Sequence, residues 1–371
     1  MEPDRNSQGR FSMRRLRLWL AGGVTVVVVA LAGLGLWSAW QHPNQVRQLK
    51  VAAKSSPTAS PKPTAAPTPA SDPITIAAMK ARKYEPSTIK VERELGEKGG
   101  YSARVVSFTS DGNTEYAYWA EPDGTKPPGG WPAIVLVHGY INPAQYSTTG
   151  NAYSSWIAAW AKAGFVVVQP DLRGNGQSQG QGVSGHWAPD YTYDVMNLLA
   201  SLRAEERVNP AKIGVVGHSM GGHIALNVAV IDPKVAATVL VNGVVASMFD
   251  LFYNWPNSPA PHDQPTAAVQ GELNGLVQAH GSPKDDPKFW DSASAINYVG
   301  DVAGPVELEA DTGDSIVPFA FSQSLESALT AARKQAVLNS YAGNDHQLSS
   351  AANLSAFLQR TTAFWHRTLG S

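Results

Sequence analysis

The sequence predicts an α/β fold: a mostly parallel central sheet, helices on both of its faces, and one long insertion. Three observations carry that prediction. A continuous apolar run, Ala133 to Val137, has the character of a strand buried on both faces. A second kind of segment, Tyr193 to Arg203, repeats its apolar residues at Val195, Leu198, Leu199 and Leu202, which is a helical period. The two kinds alternate toward the C-terminus, and such alternation packs as a parallel sheet covered by helices.

Each element follows in turn. Val105 to Phe108 and Glu115 to Glu121 flank the turn signal Ser110-Asp111-Gly112-Asn113 and read as a β-hairpin. Pro127-Pro128-Gly129-Gly130 is a loop before the strand at Ala133. Phe165 to Gln169, Lys212 to Gly217, Val235 to Val241, Pro305 to Ala310 and Ala336 to Tyr341 read as further strands. Met220 to Ile231, Phe319 to Arg333 and Leu354 to Leu369 read as helices. The stretch from Ala246 to Val299 breaks this rhythm. It is long, rich in proline and aromatic residues, and predicted to be helical around Thr266 to Ala279. A connection of that length inside a compact domain is usually functional, and we expect a cap over the active site. No period of repeat length runs through the chain.

The totals exclude several functions. Among 371 residues, Lys and Arg total 29 and Asp and Glu total 30, so no basic excess marks a nucleic-acid partner. Cysteine is absent, which removes disulfides, thiolate metal sites and a cysteine nucleophile. Stability must then come from a sizeable core.

The N-terminal part has a different character. Arg10, Arg14, Arg15 and Arg17 precede an uncharged run from Leu18 to Trp40, long enough to cross the hydrocarbon layer of a bilayer. Trp19, Trp37 and Trp40 sit near its two ends, where indoles favour the interface. The charge asymmetry predicts residues 1–17 in the cytoplasm, an uncleaved signal-anchor over 18–40, and the rest of the chain outside. The rival is a cleaved signal peptide with Ser38 and Ala39 before the cut and secretion of the remainder. Residues 41–73 follow as a linker, nearly all Pro, Ala, Ser and Thr from Ser55 to Pro73, too polar and proline-rich to fold alone. The domain proper is expected over 74–371.

The strongest chemical signal is Gly217-His218-Ser219-Met220-Gly221. It follows an apolar strand and opens a helix, the context a nucleophilic serine on a sharp turn requires. Glycines two residues to either side remove Cβ atoms that would crowd that turn. Ser219 then projects from the turn, and the backbone N–H of Met220 at the helix start is placed to donate to an oxyanion. A second donor is needed near a neighbouring strand end. Val137-His138-Gly139-Tyr140 supplies it through Tyr140, by its backbone N–H or its phenol, whereas His138 orders the loop. An acid is expected after the next-to-last strand, in Asp311-Thr312-Gly313-Asp314-Ser315-Ile316-Val317-Pro318. Asp314 is the choice there, with Asp311 as the alternative. Tyr341-Ala342-Gly343-Asn344-Asp345-His346 follows the last strand and offers His346 as the base. His186, His218, His223, His262 and His280 read as structural, His366 as surface or packing, and His42 lies beside the predicted anchor. Asp171 to Ser178 forms a tight glycine loop ordered by Arg173, with backbone carbonyls as its expected partners. No H-E-x-x-H, carboxylate cluster or G-x-G-x-x-G marks a metal or dinucleotide site, so no cofactor and no metal is expected.

On these residues the chain resembles an α/β hydrolase of the prolyl oligopeptidase-like group. The matching stretches are Trp131 to Tyr140, Pro170 to Ser178, Ile213 to Gly222, Phe289 to Pro305, Gly313 to Pro318 and Tyr341 to His346. The resemblance implies a Ser219, Asp314, His346 triad with Tyr140 and Met220 at the oxyanion hole. It departs in one respect: the peptidases of that group carry a large β-propeller before the catalytic domain, and here few residues precede it. The expected function is hydrolysis of a small ester or a short peptide through an acyl-enzyme. The alternatives are a non-hydrolytic binding protein, or an acyltransferase or haloperoxidase using the same three residues. The expected partners are that substrate and, through the anchor, a membrane.

Overall fold

The computed structural model describes residues 72–150, 152–256 and 267–370. The predicted cytoplasmic segment, the span Leu18 to Trp40, nearly all of the linker, His42 and His262 lie outside the described residues. Among the described residues, no helix is long and apolar enough to cross a membrane.

The elements run α1 (Ile76–Ala81), β1 (Lys90–Glu97), β2 (Tyr101–Ser110), β3 (Asn113–Pro122), β4 (Trp131–Val137), α2 (Ser154–Lys162), β5 (Val166–Pro170), α3 (Asp190–Arg203), β6 (Val208–His218) and α4 (Met220–Ile231). They continue with β7 (Ala237–Val241), α5 (Met248–Tyr253), α6 (Ala267–His280), α7 (Pro287–Ser292), a 3-10 helix (Ala295–Asp301), β8 (Val306–Asp311), α8 (Phe319–Ala331), β9 (Ala336–Tyr341) and α9 (Ala351–Leu369). All nine strands form one sheet in the order β1-β2-β3-β5-β4-β6-β7-β8-β9. β4 through β9 pair in parallel, whereas β1, β2 and β3 form an antiparallel extension joined to β5.

Strand residues alternate between two cores, as the pleat dictates. Ala133, Val135 and Val137 of β4 face one, together with α3, α4 and α8. Ile134 and Leu136 face the other, together with α2 and α9. On that second face Trp156 of α2 packs on Phe357 of α9, ring centroids 4.5 Å apart. Trp365 lies so close to the sheet that a Cβ on Gly214 would sit 2.6 Å from its ring.

The predicted strands and helices appear within a few residues of their expected limits, and α6 falls where a helix is expected in the insertion. Besides α5, α7 and the 3-10 helix within the insertion, three elements were not anticipated: α1, β1 and α2. Folded structure also starts slightly earlier than expected. His280 of α6 contacts Asp72 at 3.1 Å, and Tyr193 donates to the Pro73 carbonyl at 3.1 Å. The insertion aromatics divide. Trp255 and Trp290 are buried, Trp255 against Phe321 and Trp290 against Trp187, while Phe249 and Tyr253 face solvent.

Arg173 corrects its expectation. Its guanidinium meets carboxylates, not backbone carbonyls: Asp194 at 2.6 Å, Asp190 at 2.6 Å and Asp111 at 3.0 Å. Asp194 is fully buried, and a buried carboxylate needs a cation more than a loop carbonyl does.

Candidate active site

β6 ends at His218 and α4 begins at Met220, so Ser219 alone makes the turn between them. Its φ of 56° is in the left-handed region, a strained conformation for a residue with a side chain. The main chain around it is tied on both sides. Ser219 N–H donates to the Val241 carbonyl at 3.0 Å, and the Ser219 carbonyl accepts from Gly222 at 2.9 Å and Val244 at 3.0 Å. The glycines are demanded by neighbours. A Cβ on Gly217 would meet the Gly221 carbonyl oxygen at 2.1 Å, and one on Gly221 would meet the Val137 carbonyl oxygen at 2.1 Å. The start of α4 is thus packed directly on the end of β4, next to the loop that carries Tyr140.

That loop comes equally close. A Cβ on Gly139 would be 3.0 Å from Ser219 Cβ. His138 is buried, and its two ring nitrogens face the Gly139 and Asp171 carbonyls at 2.7 and 3.1 Å, which fits a loop-ordering residue. Tyr140 is 64 % exposed, so its phenol is not enclosed in the site. Met220 is buried at the first position of α4.

Asp314 and His346 meet at the far side. His346 Nδ1 lies 2.6 Å from Asp314 Oδ2, with the Asp314 side chain 1 % exposed. The other oxygen, Oδ1, accepts the N–H groups of Ile316 at 2.8 Å and Val317 at 3.1 Å, which aims Oδ2 at the imidazole. A carboxylate only accepts, so Nδ1 carries a proton, and in the neutral ring the lone pair is on Nε2. Asp311, the alternative acid, is buried at the end of β8, where its Oδ1 accepts Gly313 N–H. The acid and base loops touch so tightly that a Cβ on Gly313 would be 1.7 Å from the Gly343 oxygen. Asn344 Oδ1 also accepts Ser315 N–H at 3.0 Å.

The structure therefore joins Asp314 to His346, and brings the His346 ring within 4.8 Å of the ring of His218, the neighbour of Ser219. Among the described residues, Ser219 Oγ makes no hydrogen bond to His346. Contacts of this kind are often long without substrate and tighten when it binds. On the side of Met220, a buried pair of imidazoles, His186 and His223, have centroids 5.2 Å apart, and Trp255 lies 5.5 Å from His186. Burial pushes His223 down to about 4 and His186 well below its ordinary value, so both are neutral. Trp255 Nε1 donates to the Ile316 carbonyl at 2.7 Å, which ties the insertion to the acid loop. Among the described residues no group of three or more His, Asp or Glu side chains is arranged to hold a metal ion.

Sequence reasoning passed over two residues here. Asn242, at φ 41°, donates from Nδ2 to the His346 carbonyl at 3.0 Å and accepts Asp311 N–H at 2.8 Å. Asn-Gly directly after an apolar strand is a legible signal for such a left-handed turn. Tyr153 stands at the start of α2, which the spacing of Trp156, Ile157, Trp160 and Ala161 would have revealed.

Comparison with known proteins agrees with this architecture. Residues 132–296 match a family model described as the alpha/beta hydrolase fold. An uncharacterized protein of Mycobacterium tuberculosis is 31 % identical over 113 residues, covering 30 % of this chain and 29 % of that protein. An AB hydrolase superfamily protein of Schizosaccharomyces pombe is 31 % identical over 159 residues, covering 38 % of this chain and 43 % of that protein. Each alignment spans less than half the length of the relative. Among solved structures, an acetyl xylan esterase from Paenibacillus sp. R4 superposes with a TM-score of 0.59 at 17 % identity, covering 78 % of this chain and 92 % of that one. A Pyrococcus horikoshii acylaminoacyl peptidase does so at 0.58 and 18 %, covering 74 % and 43 %. The chain has the alpha/beta hydrolase fold.

Proposed function

We propose that the protein is a serine hydrolase that cleaves carboxylic ester or amide bonds through an acyl-enzyme. The contact between His346 Nδ1 and Asp314 Oδ2 is the observation that carries this reading, because it leaves Nε2 to act as the base for the strained serine. Ser219 Oγ attacks the substrate carbonyl and its proton passes to His346 Nε2. The carbonyl electrons move onto oxygen, where the N–H groups of Met220 and Tyr140 stabilise the charge. Collapse expels the alcohol or amine, which takes the proton from His346. Water then repeats the sequence on the acyl group and frees the acid. Asp314 holds the imidazole in the required tautomer throughout.

The insertion from Ala246 to Val299 acts as the cap in this reading, supported by the Trp255 tie to the acid loop. With an acetyl xylan esterase and an acylaminoacyl peptidase among the structural neighbours, both an ester and a short peptide are candidate substrates. The run Leu18 to Trp40 serves as a membrane anchor and places the domain on the extracytoplasmic side, on the strength of its length and flanking arginines. N-terminal sequencing of the mature protein tests that: a start beyond Trp40 defeats the anchor.

A panel of p-nitrophenyl esters beside aminoacyl-nitroanilides tests the chemistry. Release of nitrophenol or nitroaniline that disappears in Ser219→Ala supports the proposal. Ser219→Ala with undiminished turnover refutes it.

A further inference from the structure

A buried chain of hydrogen bonds runs through the residue beside the serine, and the reaction as written does not use it. His218 is 1 % exposed. Its Nε2 lies 2.8 Å from the main-chain carbonyl of His346, and its Nδ1 lies 2.8 Å from the Tyr153 hydroxyl. The same hydroxyl accepts Gly139 N–H at 2.9 Å. The polarity of each link is fixed. A carbonyl only accepts, so Nε2 carries the imidazole proton. Burial pushes His218 down to about 3, so the ring is neutral and Nδ1 is bare. Nδ1 therefore accepts from Tyr153, whose oxygen accepts from Gly139.

The three groups belong to separate parts of the site. Gly139 precedes Tyr140 on the loop after β4. His218 is covalently next to Ser219. His346 is the proposed base on the loop after β9. A histidine that merely filled space here would cost free energy unless its nitrogens were satisfied, and an aliphatic side chain would fill the same volume without that requirement. Instead Nε2 holds the His346 loop directly, and Nδ1 reaches the Gly139 loop through the Tyr153 hydroxyl. Trp156 packs edge-on against the His218 ring at 5.8 Å and against Tyr153 at 5.1 Å, which fixes the rings in place. Asn242 supplies the second donor to the His346 carbonyl at 3.0 Å, so that carbonyl is held from two strands.

We propose that Tyr153 and His218 are positioning residues: a relay from Gly139 N–H to the His346 carbonyl that fixes the oxyanion loop and the base loop relative to Ser219. This rests on the serine-hydrolase reading. Neither residue touches the reacting atoms. Their effect is on the distance over which the proton moves and on the aim of the oxyanion donors.

The experiment uses the full-length chain and p-nitrophenyl acetate, with the rate of fluorophosphonate labelling and the melting midpoint measured on the same samples. Tyr153→Phe removes one oxygen and keeps the ring. His218→Leu removes both links, and His218→Gln restores a donor where Nε2 stood. Misplacement of about 1 Å at a reacting centre costs on the order of 100-fold. We expect kcat and the labelling rate to fall about 10- to 100-fold in Tyr153→Phe and His218→Leu, with KM changed less than about twofold. His218→Gln should recover a substantial part of the loss. Should His218→Leu fail to fold, Tyr153→Phe alone decides. The relay is overturned by folded Tyr153→Phe with wild-type kcat and labelling, or by His218→Gln no better than a folded His218→Leu. Ser219→Ala is the control that separates the two readings: turnover surviving in it refutes the hydrolase assignment, whatever the relay variants do.

Discussion

At the scale of single residues, the site depends on which atom of each side chain is already committed. Asp314 spends Oδ1 on two backbone N–H groups and keeps Oδ2 for His346. Asn in its place keeps the size but offers an N–H or a neutral oxygen, and the imidazole loses the partner that selects its tautomer. Asp314→Asn is expected to lower kcat on the order of 10⁴-fold with the fold intact. A loss of tenfold or less on nitrophenyl esters would contradict the role. Tyr140 is argued to donate through its main chain, since its side chain is exposed. Tyr140→Pro deletes that N–H and is expected to cost about 10²–10³ in kcat, whereas Tyr140→Ala, which keeps it, loses less. The reverse order would assign the donation to the phenol. The turn at Ser219 between an apolar strand and a helix was legible in the sequence, as were the loops after β8 and β9 that carry Asp314 and His346. The choice of Asp314 over Asp311 was not fully legible. Asp311 ends β8 and Asp314 lies three residues on in the loop, and only the folded loop, with its Asx-like turn at Asp314, shows which carboxylate reaches the ring.

At the scale of elements, the loops are held together by the absence of side chains as much as by their presence. Gly313 packs against the Gly343 carbonyl where a methyl group has no room. Gly313→Ala must push the acid and base loops apart, so kcat is expected to fall by about 100-fold. The melting midpoint should change little, because both residues sit in exposed loops away from the core. A wild-type kcat in this variant would show that the loop contact does not set the geometry. The elements missed in the sequence have physical reasons. β1 presents mostly exposed charged and polar residues and shows no apolar alternation, being an edge strand held by pairing with β2 alone. α1 has six residues, too few to display a period. Helix α2 carried a readable pattern, and its Tyr153 turned out to connect the two loops. That connection is between residues 65 and 128 positions apart, and no local pattern encodes it.

At the scale of the whole molecule, the strand types were legible but their lateral order was not. Apolar runs of similar character do not say that β5 lies between β3 and β4, an order set by the handedness of the crossovers. The order matters, because it sets the ends of β4, β6, β8 and β9 close enough for their loops to meet. The penultimate strand, β8, carries a buried acidic pair, Glu307 and Glu309, sharing Asn339 of the edge strand β9 at 3.2 and 2.7 Å. Burial, and then the neighbouring Glu307, pushes the Glu309 carboxyl up to about 9. The sign follows from linkage. A raised folded pKa favours the native state fully below the unfolded value near 4.5, and that contribution is lost as pH rises to about 9. Glu309→Gln removes the titration. The wild-type melting midpoint should therefore fall more steeply between about pH 6 and about pH 9 than that of Glu309→Gln. Parallel curves would contradict the buried neutral acid.

The proposed reaction requires that Ser219 be a nucleophile activated by His346. Peptide mass spectrometry of the full-length protein after treatment with a fluorophosphonate tests it most directly. One adduct is expected, on Ser219, formed in the wild type and lost or greatly slowed in His346→Ala. An unmodified Ser219 in folded protein, or labelling at an unchanged rate without His346, would contradict it.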